Sequence, residues 1–320
     1  MAVLITGLGY IGSALAARLL AAGEQVIALE NFFSTPPAAV QSLSHQPGLL
    51  LIEGSITDPA TLARAFATAD VECVFHLAAQ ASTHPEAAPI AYTVEVNYTG
   101  ARLLLDACLA HGVARVVLAS STRLYRTPLP QRVHEGSPIH AEDLVHLSQL
   151  YGEVLLTTYL HAAAGRLSGV AARLGIVTGV GPVMKNDPRF LAAPQRFCLA
   201  AAAGASIQVA TGAKTVLPFV HIDDAVDGLL CSREYRGPAR AVNVAGEVRS
   251  VASVAAAVRD AAAARGIATT IAYQGRPGTH GARRVETALA ASGFHPNRSI
   301  DAAMGPLLDH YRSVLATPQT

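Results

Sequence analysis

Three glycines near the start of the chain are spaced to hold a phosphate. In Thr6-Gly7-Leu8-Gly9-Tyr10-Ile11-Gly12, Gly7 permits a tight turn, Gly9 lets a pyrophosphate approach the backbone, and Gly12 allows a helix to pack closely on a strand. The apolar run VLIT precedes the turn and a helix opens near Ile11. The amide end of that helix, carrying Tyr10 and Ile11, attracts the same negative charge. Glu30 follows about twenty residues on, at the end of the next apolar run, where a carboxylate receives the adenine ribose hydroxyls of a bound dinucleotide. Asn31 stands beside it. A carboxylate there repels a 2′-phosphate, and residues 31–35 (NFFST) carry no arginine to receive one. Of the two forms of NAD(P)H, the pattern favours NADH.

The elements that must position these residues are legible as a rhythm. Short β-branched runs alternate with Ala/Leu-rich helical stretches: VLIT then IGSALAARLLAAG, QVIAL, LLLIEG then PATLARAFA, CVFHLA then a long helix over 88–110, and RVVLAS. Each parallel strand needs a crossover before the next can pair, so the alternation predicts an α/β fold, a doubly wound parallel sheet of Rossmann type. After Gly175 the rhythm weakens and Gly/Pro punctuation increases. The expected organisation is a dinucleotide-binding domain over 1–175, rejoined by 216–246, with a smaller C-terminal substrate lobe built from 176–215 and 247–320.

Composition narrows the classes of partner. The chain has 320 residues, 51% hydrophobic, only 15% charged, with a formal net charge of +1. Such a surface offers no basic field to nucleic acid. Cys73, Cys108, Cys198 and Cys231 are scattered in apolar runs without a C-x-x-C pair, which reads as buried thiols. His134, His140 and His146 are spaced by six and make no i, i+4 face, so no metal is expected. No apolar stretch approaches the roughly 18–20 residues of a membrane span, and the opening MAVLITG has no charged leader. A soluble, cytoplasmic protein is expected. The Asp223-Asp224 pair is expected to cap the helix that follows, with Asp223 as N-cap.

Taken together, TGLGYIG, EGSITD (53–58), FHLAAQAS (75–82), VNYTGARLLLDAC (96–108), LASS (118–121), FVHIDDAV (219–226) and RPG (276–278) resemble the extended short-chain dehydrogenase/reductase family, the branch of nucleotide-sugar epimerases and dehydratases. The resemblance runs over nearly the whole chain. It implies that Ser55 and Ile56 flank the adenine, that Leu77, Ala78 and Ala79 line the cofactor cleft, and that Asn97 supports the site from its helix. It also implies a catalytic Ser or Thr at the end of the fifth strand, matched by Ser121, and a Tyr-x-x-x-Lys pair on the following helix. The tyrosine exchanges a proton with substrate, and the lysine orients the nicotinamide ribose.

That pair is absent. The segment Glu153-Val-Leu-Leu-Thr-Thr-Tyr159 fits the family's downstream pattern and places Val145 at the tyrosine position and Gln149 at the lysine position. Tyr151 lies six positions after Val145, about 600° around the helix, and neither Lys185 nor Lys214 has a tyrosine four residues before it. Gln149 keeps an amide for the ribose. A second departure is Leu217-Pro218, where nucleotide-sugar members carry Arg-Asp and grip a diphosphate; Arg276 of RPG matches another phosphate ligand. Losing the proton donor harms a sugar epimerase more than a ketone reductase whose substrate carries its own phenol. The chain thus resembles the tyrosine-less ketoreductases of polyketide tailoring. The expected activity is NAD(P)H-dependent reduction of a ketone on a large, hydrophobic, phenolic small molecule. The alternatives are a nucleotide-sugar epimerase or dehydratase and a non-catalytic dinucleotide sensor. The 88–110 helix could pair with its counterpart in a homodimer.

Overall fold

Strands β1 (Ala2–Thr6) and β2 (Val26–Glu30) are buried at every position, the mark of parallel strands covered on both faces. The computed structural model describes residues 1–84, 86–87, 89–210, 215–274 and 281–317. With β3 (Leu49–Glu53), β4 (Val71–His76), β5 (Arg115–Ser121) and the strands Ser168–Leu174 and Ala241–Val244 they form one seven-stranded sheet. Every pairing in it is parallel. Its order runs β3-β2-β1-β4-β5 and then outward through the two later strands. The order reverses between β1 and β4, and ligands of such sheets bind in the crevice beyond the carboxyl ends of the strands at that reversal.

Alternation along the strands feeds two cores. Ile5, Phe75 and Val117 face one side with Leu15 and Leu19 of helix α1 (Tyr10–Ala21). Leu4, Val74 and Val116 face the other with Leu104 and Leu156. A third core, including Phe197, Val254, Leu307 and Tyr311, joins the helices Ala193–Ala202, Val251–Ala263 and Ile300–Ala316 into a second lobe.

The returning stretch 216–246 divides between the two. Its helix Ile222–Glu234 packs on the first core and its strand Ala241–Val244 completes the central sheet. Its first strand, Val216–His221, instead pairs in parallel with Ile176–Thr178 and antiparallel with Val248–Ser250 in a separate small sheet. The expected 88–110 helix is also interrupted: Ile90–Val94 is α-helical, Glu95–Gly100 is a π-helical turn, and Ala101–Ala110 resumes the α-helix. The N-cap of Ile222–Glu234 is His221, not Asp223. Its Nδ1 accepts from the Asp223 N–H at 3.2 Å, and both aspartates fall inside the first turn, where they complement the helix dipole. Asp224 is buried there and pairs with Arg298.

Cys73, Cys108 and Cys198 are buried free thiols and Cys231 is partly exposed. Among the described residues, no helix is long and apolar enough to cross a membrane.

Candidate functional site

In the glycine turn between β1 and α1, Gly7 and Gly12 leave no room for side chains. Gly7 adopts φ +85°, and a Cβ there would lie 2.8 Å from the Ala78 nitrogen; one on Gly12 would lie 2.0 Å from the Gly7 oxygen. Leu77 N–H donates to the Thr6 carbonyl at 3.0 Å, so Leu77 and Ala78 back the turn directly, with Ala79 exposed at the rim. A Cβ on Gly9 would stand 3.3 Å from the Thr35 hydroxyl oxygen. Thr35 was not singled out from sequence; it is buried over the turn. Tyr10 begins α1 and its hydroxyl donates to the Gly179 carbonyl at 2.6 Å. Burial pushes that phenol far above its ordinary pKa, so it serves as a tie to the second lobe. Ile11 packs against the first core.

Glu30 ends β2, buried, with its carboxylate accepting from the Phe32 N–H at 2.9 Å. Burial raises its pKa and nearby backbone amides oppose the shift. Asn31 turns to the surface, donating to the Tyr92 hydroxyl at 2.9 Å and accepting from Phe33 N–H at 3.1 Å. Ser55 shares a hydrogen bond with Thr57 at 2.8 Å, and Ile56 is buried beneath Gly100, where a Cβ would be 2.7 Å from it. Asn97, on the π-helical turn, accepts from Gln80 N–H and donates to the Gln80 carbonyl and the Ser148 hydroxyl, each at 2.8 Å. With its amide so engaged, Asn97 braces the loop after β4 against the helix Leu144–Ala162; it is a support and not a ligand. His76 is packed at the end of β4, bonded to Thr6 at 2.8 Å, and burial lowers its pKa to about 4.

One stripe of the helix Leu144–Ala162 carries Val145, Gln149 and Glu153 at four-residue intervals. Glu153 anchors it: its carboxylate accepts from the Ser120 hydroxyl at 2.6 Å and from Arg173 at 2.8 and 2.7 Å. Ser120 is the penultimate residue of β5, so Gln149 and Val145, one and two turns earlier, extend past the carboxyl edge of the sheet into the crevice. Val145 is buried. Gln149 Oε1 is buried without a hydrogen-bond partner. Ser121 ends β5, its oxygen accepting from the Arg123 N–H at 3.1 Å. Of the tyrosines on the bordering elements, Tyr125 is hydrogen-bonded, whereas the Tyr98 hydroxyl is buried without a partner. Tyr125 donates to Asn243 at 2.6 Å and accepts from Arg173 at 3.1 Å, and the Tyr151 ring packs 4.7 Å from that of Tyr98.

Leu217 pairs with Arg249 in the small sheet and packs on the second-lobe core. Arg276 and the rest of RPG lie outside the described residues.

These residues fit a dinucleotide: a pyrophosphate against the bare backbone of Gly9, an adenine ribose at Glu30, and a nicotinamide ribose at the unpartnered Gln149 oxygen. When bound, such a cofactor exchanges a hydride with substrate carbon.

Comparison with known proteins identifies the family. Residues 3–245 match the model of the "NAD dependent epimerase/dehydratase family". A UDP-glucose 4-epimerase of Mycolicibacterium smegmatis is 29% identical over 247 residues, 76% of this chain and 77% of that protein. One from Bacillus subtilis is 30% identical over 167 residues, 51% of this chain and about half (49%) of the relative. The Thermus thermophilus UDP-glucose 4-epimerase, solved in complex with NAD, superposes with a TM-score of 0.80 at 26% identity, covering 98% of this chain and 99% of that one. With a family match across most of its length, the chain belongs to the NAD dependent epimerase/dehydratase family.

Proposed function

We propose that this family member is an NAD(P)H-dependent ketoreductase acting on a large, apolar ketone that carries a neighbouring phenol, like the tyrosine-less ketoreductases of polyketide tailoring. The observation that carries the reading is the stripe Val145–Gln149. The helix that should present a proton-exchanging pair to the crevice presents a buried isopropyl group and an amide. Ser121 donates a hydrogen bond to the ketone oxygen, Gln149 holds the nicotinamide ribose, and Val145 contributes an apolar wall that excludes water. Hydride addition to the carbonyl carbon leaves an alkoxide. It takes its proton from the adjacent phenol, whose pKa near 10 matches that of a tyrosine, and solvent reprotonates the phenolate. Leu217-Pro218 in place of an Arg-Asp pair supports a substrate without a diphosphate.

The named relatives, UDP-glucose 4-epimerases, support a second reading, a nucleotide-sugar epimerase or dehydratase. That chemistry must withdraw a proton from a sugar hydroxyl, a step worth roughly 10²–10⁴ in rate to a positioned base. Neither Val145 nor Gln149 can take it. A dinucleotide sensor is the remaining alternative.

The test is single-turnover NADH and NADPH oxidation with peri-hydroxylated aromatic ketones and their methyl ethers, beside UDP-glucose and UDP-glucuronate assayed for epimerised product. Turnover of the free phenols and slow turnover of the ethers is expected. Equal turnover of the ethers refutes substrate assistance, epimerised sugar establishes the second reading, and binding without turnover of either leaves the sensor.

A further inference from the structure

Lys185 belongs to a segment of the second lobe that is held beside the first helix. The segment after strand Ile176–Thr178 is pinned to the first helix, where the Gly179 carbonyl accepts from Tyr10 at 2.6 Å and Val183 N–H donates to the Ser13 hydroxyl at 3.2 Å. Two residues on, the Lys185 carbonyl accepts from the Tyr311 hydroxyl at 3.1 Å, tying the same backbone to the second lobe. The Lys185 ammonium lies 5.8 Å from the centre of the Phe190 ring. Phe190 stands edge-on to Phe33 at 6.1 Å, and Phe33 stacks on Tyr92 at 4.0 Å.

Lys185 is therefore held between α1 and the loop that follows Glu30. Those two elements flank the glycine turn, since Thr35 of that loop overlies Gly9. Unlike Arg189, whose guanidinium is bound to Asp187, the Lys185 ammonium has no hydrogen-bond or ion-pair partner among the described residues. Its side chain is partly exposed, and the burial of the rest lowers its pKa, with the Glu30 charge opposing. A lysine has three donors to satisfy, and a partly desolvated cation without an ion-pair partner is favoured by an anion beside it.

We propose that Lys185 is a phosphate ligand of the dinucleotide, delivered from the second lobe onto the cleft opposite the glycine turn. The inference rests on the dinucleotide reading of that cleft. Two phosphates could meet it: the pyrophosphate common to both cofactors, or the 2′-phosphate of NADPH, whose repulsion by Glu30 it would offset.

The experiment measures dissociation constants of NADH and NADPH by calorimetry for the wild type, Lys185→Met and Lys185→Arg. Met keeps the apolar stem and removes the charge; Arg keeps the charge. Weakening on the order of tenfold or more in the Met variant, with recovery in the Arg variant, is the expected result. Loss for both cofactors assigns the pyrophosphate, and loss for NADPH alone assigns the 2′-phosphate. Unchanged binding of both by a Met variant that melts like the wild type overturns the proposal. A wild type that binds neither cofactor overturns it together with the dinucleotide reading, and the two failures are distinct.

Discussion

Replacing Gln149 by leucine separates the cost of an unfilled site from its use. In the ligand-free protein the Gln149 Oε1 is buried with no donor facing it. An unsatisfied buried polar atom costs roughly 1–3 kcal/mol, and leucine of similar size removes it. The entropy of unfolding, about 2.1 cal/mol/K per residue, summed over 320 residues, converts that gain into a rise in Tm of roughly 1.5–4.5 °C. Bound dinucleotide reverses the sign. The variant forfeits one neutral hydrogen bond to the ribose, worth about 0.5–1.5 kcal/mol, so the NADH Kd rises roughly two- to thirteenfold. Melting curves without cofactor and across an NADH titration give both numbers from one protein. A ligand-free variant that melts lower and binds NADH unchanged would refute the reasoning, since the amide would then be satisfied within the fold and idle toward the cofactor.

Gly12→Ala should lower stability by about 2–3 kcal/mol and abolish dinucleotide binding, because its Cβ would lie 2.0 Å from the Gly7 oxygen; urea unfolding and calorimetry check it, and retained affinity would contradict the packed-turn geometry. Glu153→Gln leaves the buried Arg173 guanidinium without its counter-charge and should cost on the order of 3–5 kcal/mol in a denaturant titration; a loss under about 1 kcal/mol would show that water screens the pair. His76 carries a pH signature. Its folded pKa of about 4 lies below the ordinary 6.5, so between those values the native state binds fewer protons than the unfolded chain. Its contribution is whole above about pH 6.5 and drains away as pH falls toward 4, reaching roughly 3 kcal/mol. His76→Phe should flatten the stability curve in that window, and parallel curves for the two proteins would show that His76 is not the group responsible.

The features legible in the chain alone are those with short-range causes. Gly7 and Gly12 are demanded by one turn, and Glu30 is located by the strand it ends. The alternation of apolar runs encodes a parallel sheet because covered strands must be apolar throughout. The absence of the Tyr/Lys pair is also a local matter, since Val145, Gln149 and Glu153 keep helical spacing whatever surrounds them.

What the tertiary structure decided depends on atoms distant in sequence. The break at Glu95–Gly100 occurs where Ile56 closes over Gly100 and Asn97 is held by Gln80 and Ser148. Val216–His221 left the central sheet because Ile176–Thr178 and Val248–Ser250 supply its partners. Likewise, nothing near Lys185 in the sequence marks it as a cofactor contact. Its position follows from Ser13 and Tyr311, which fasten its segment from opposite lobes. Backbone turns and helical stripes are set by neighbours a few residues away, whereas the partner of a buried charge is set by which surfaces the packed lobes bring together.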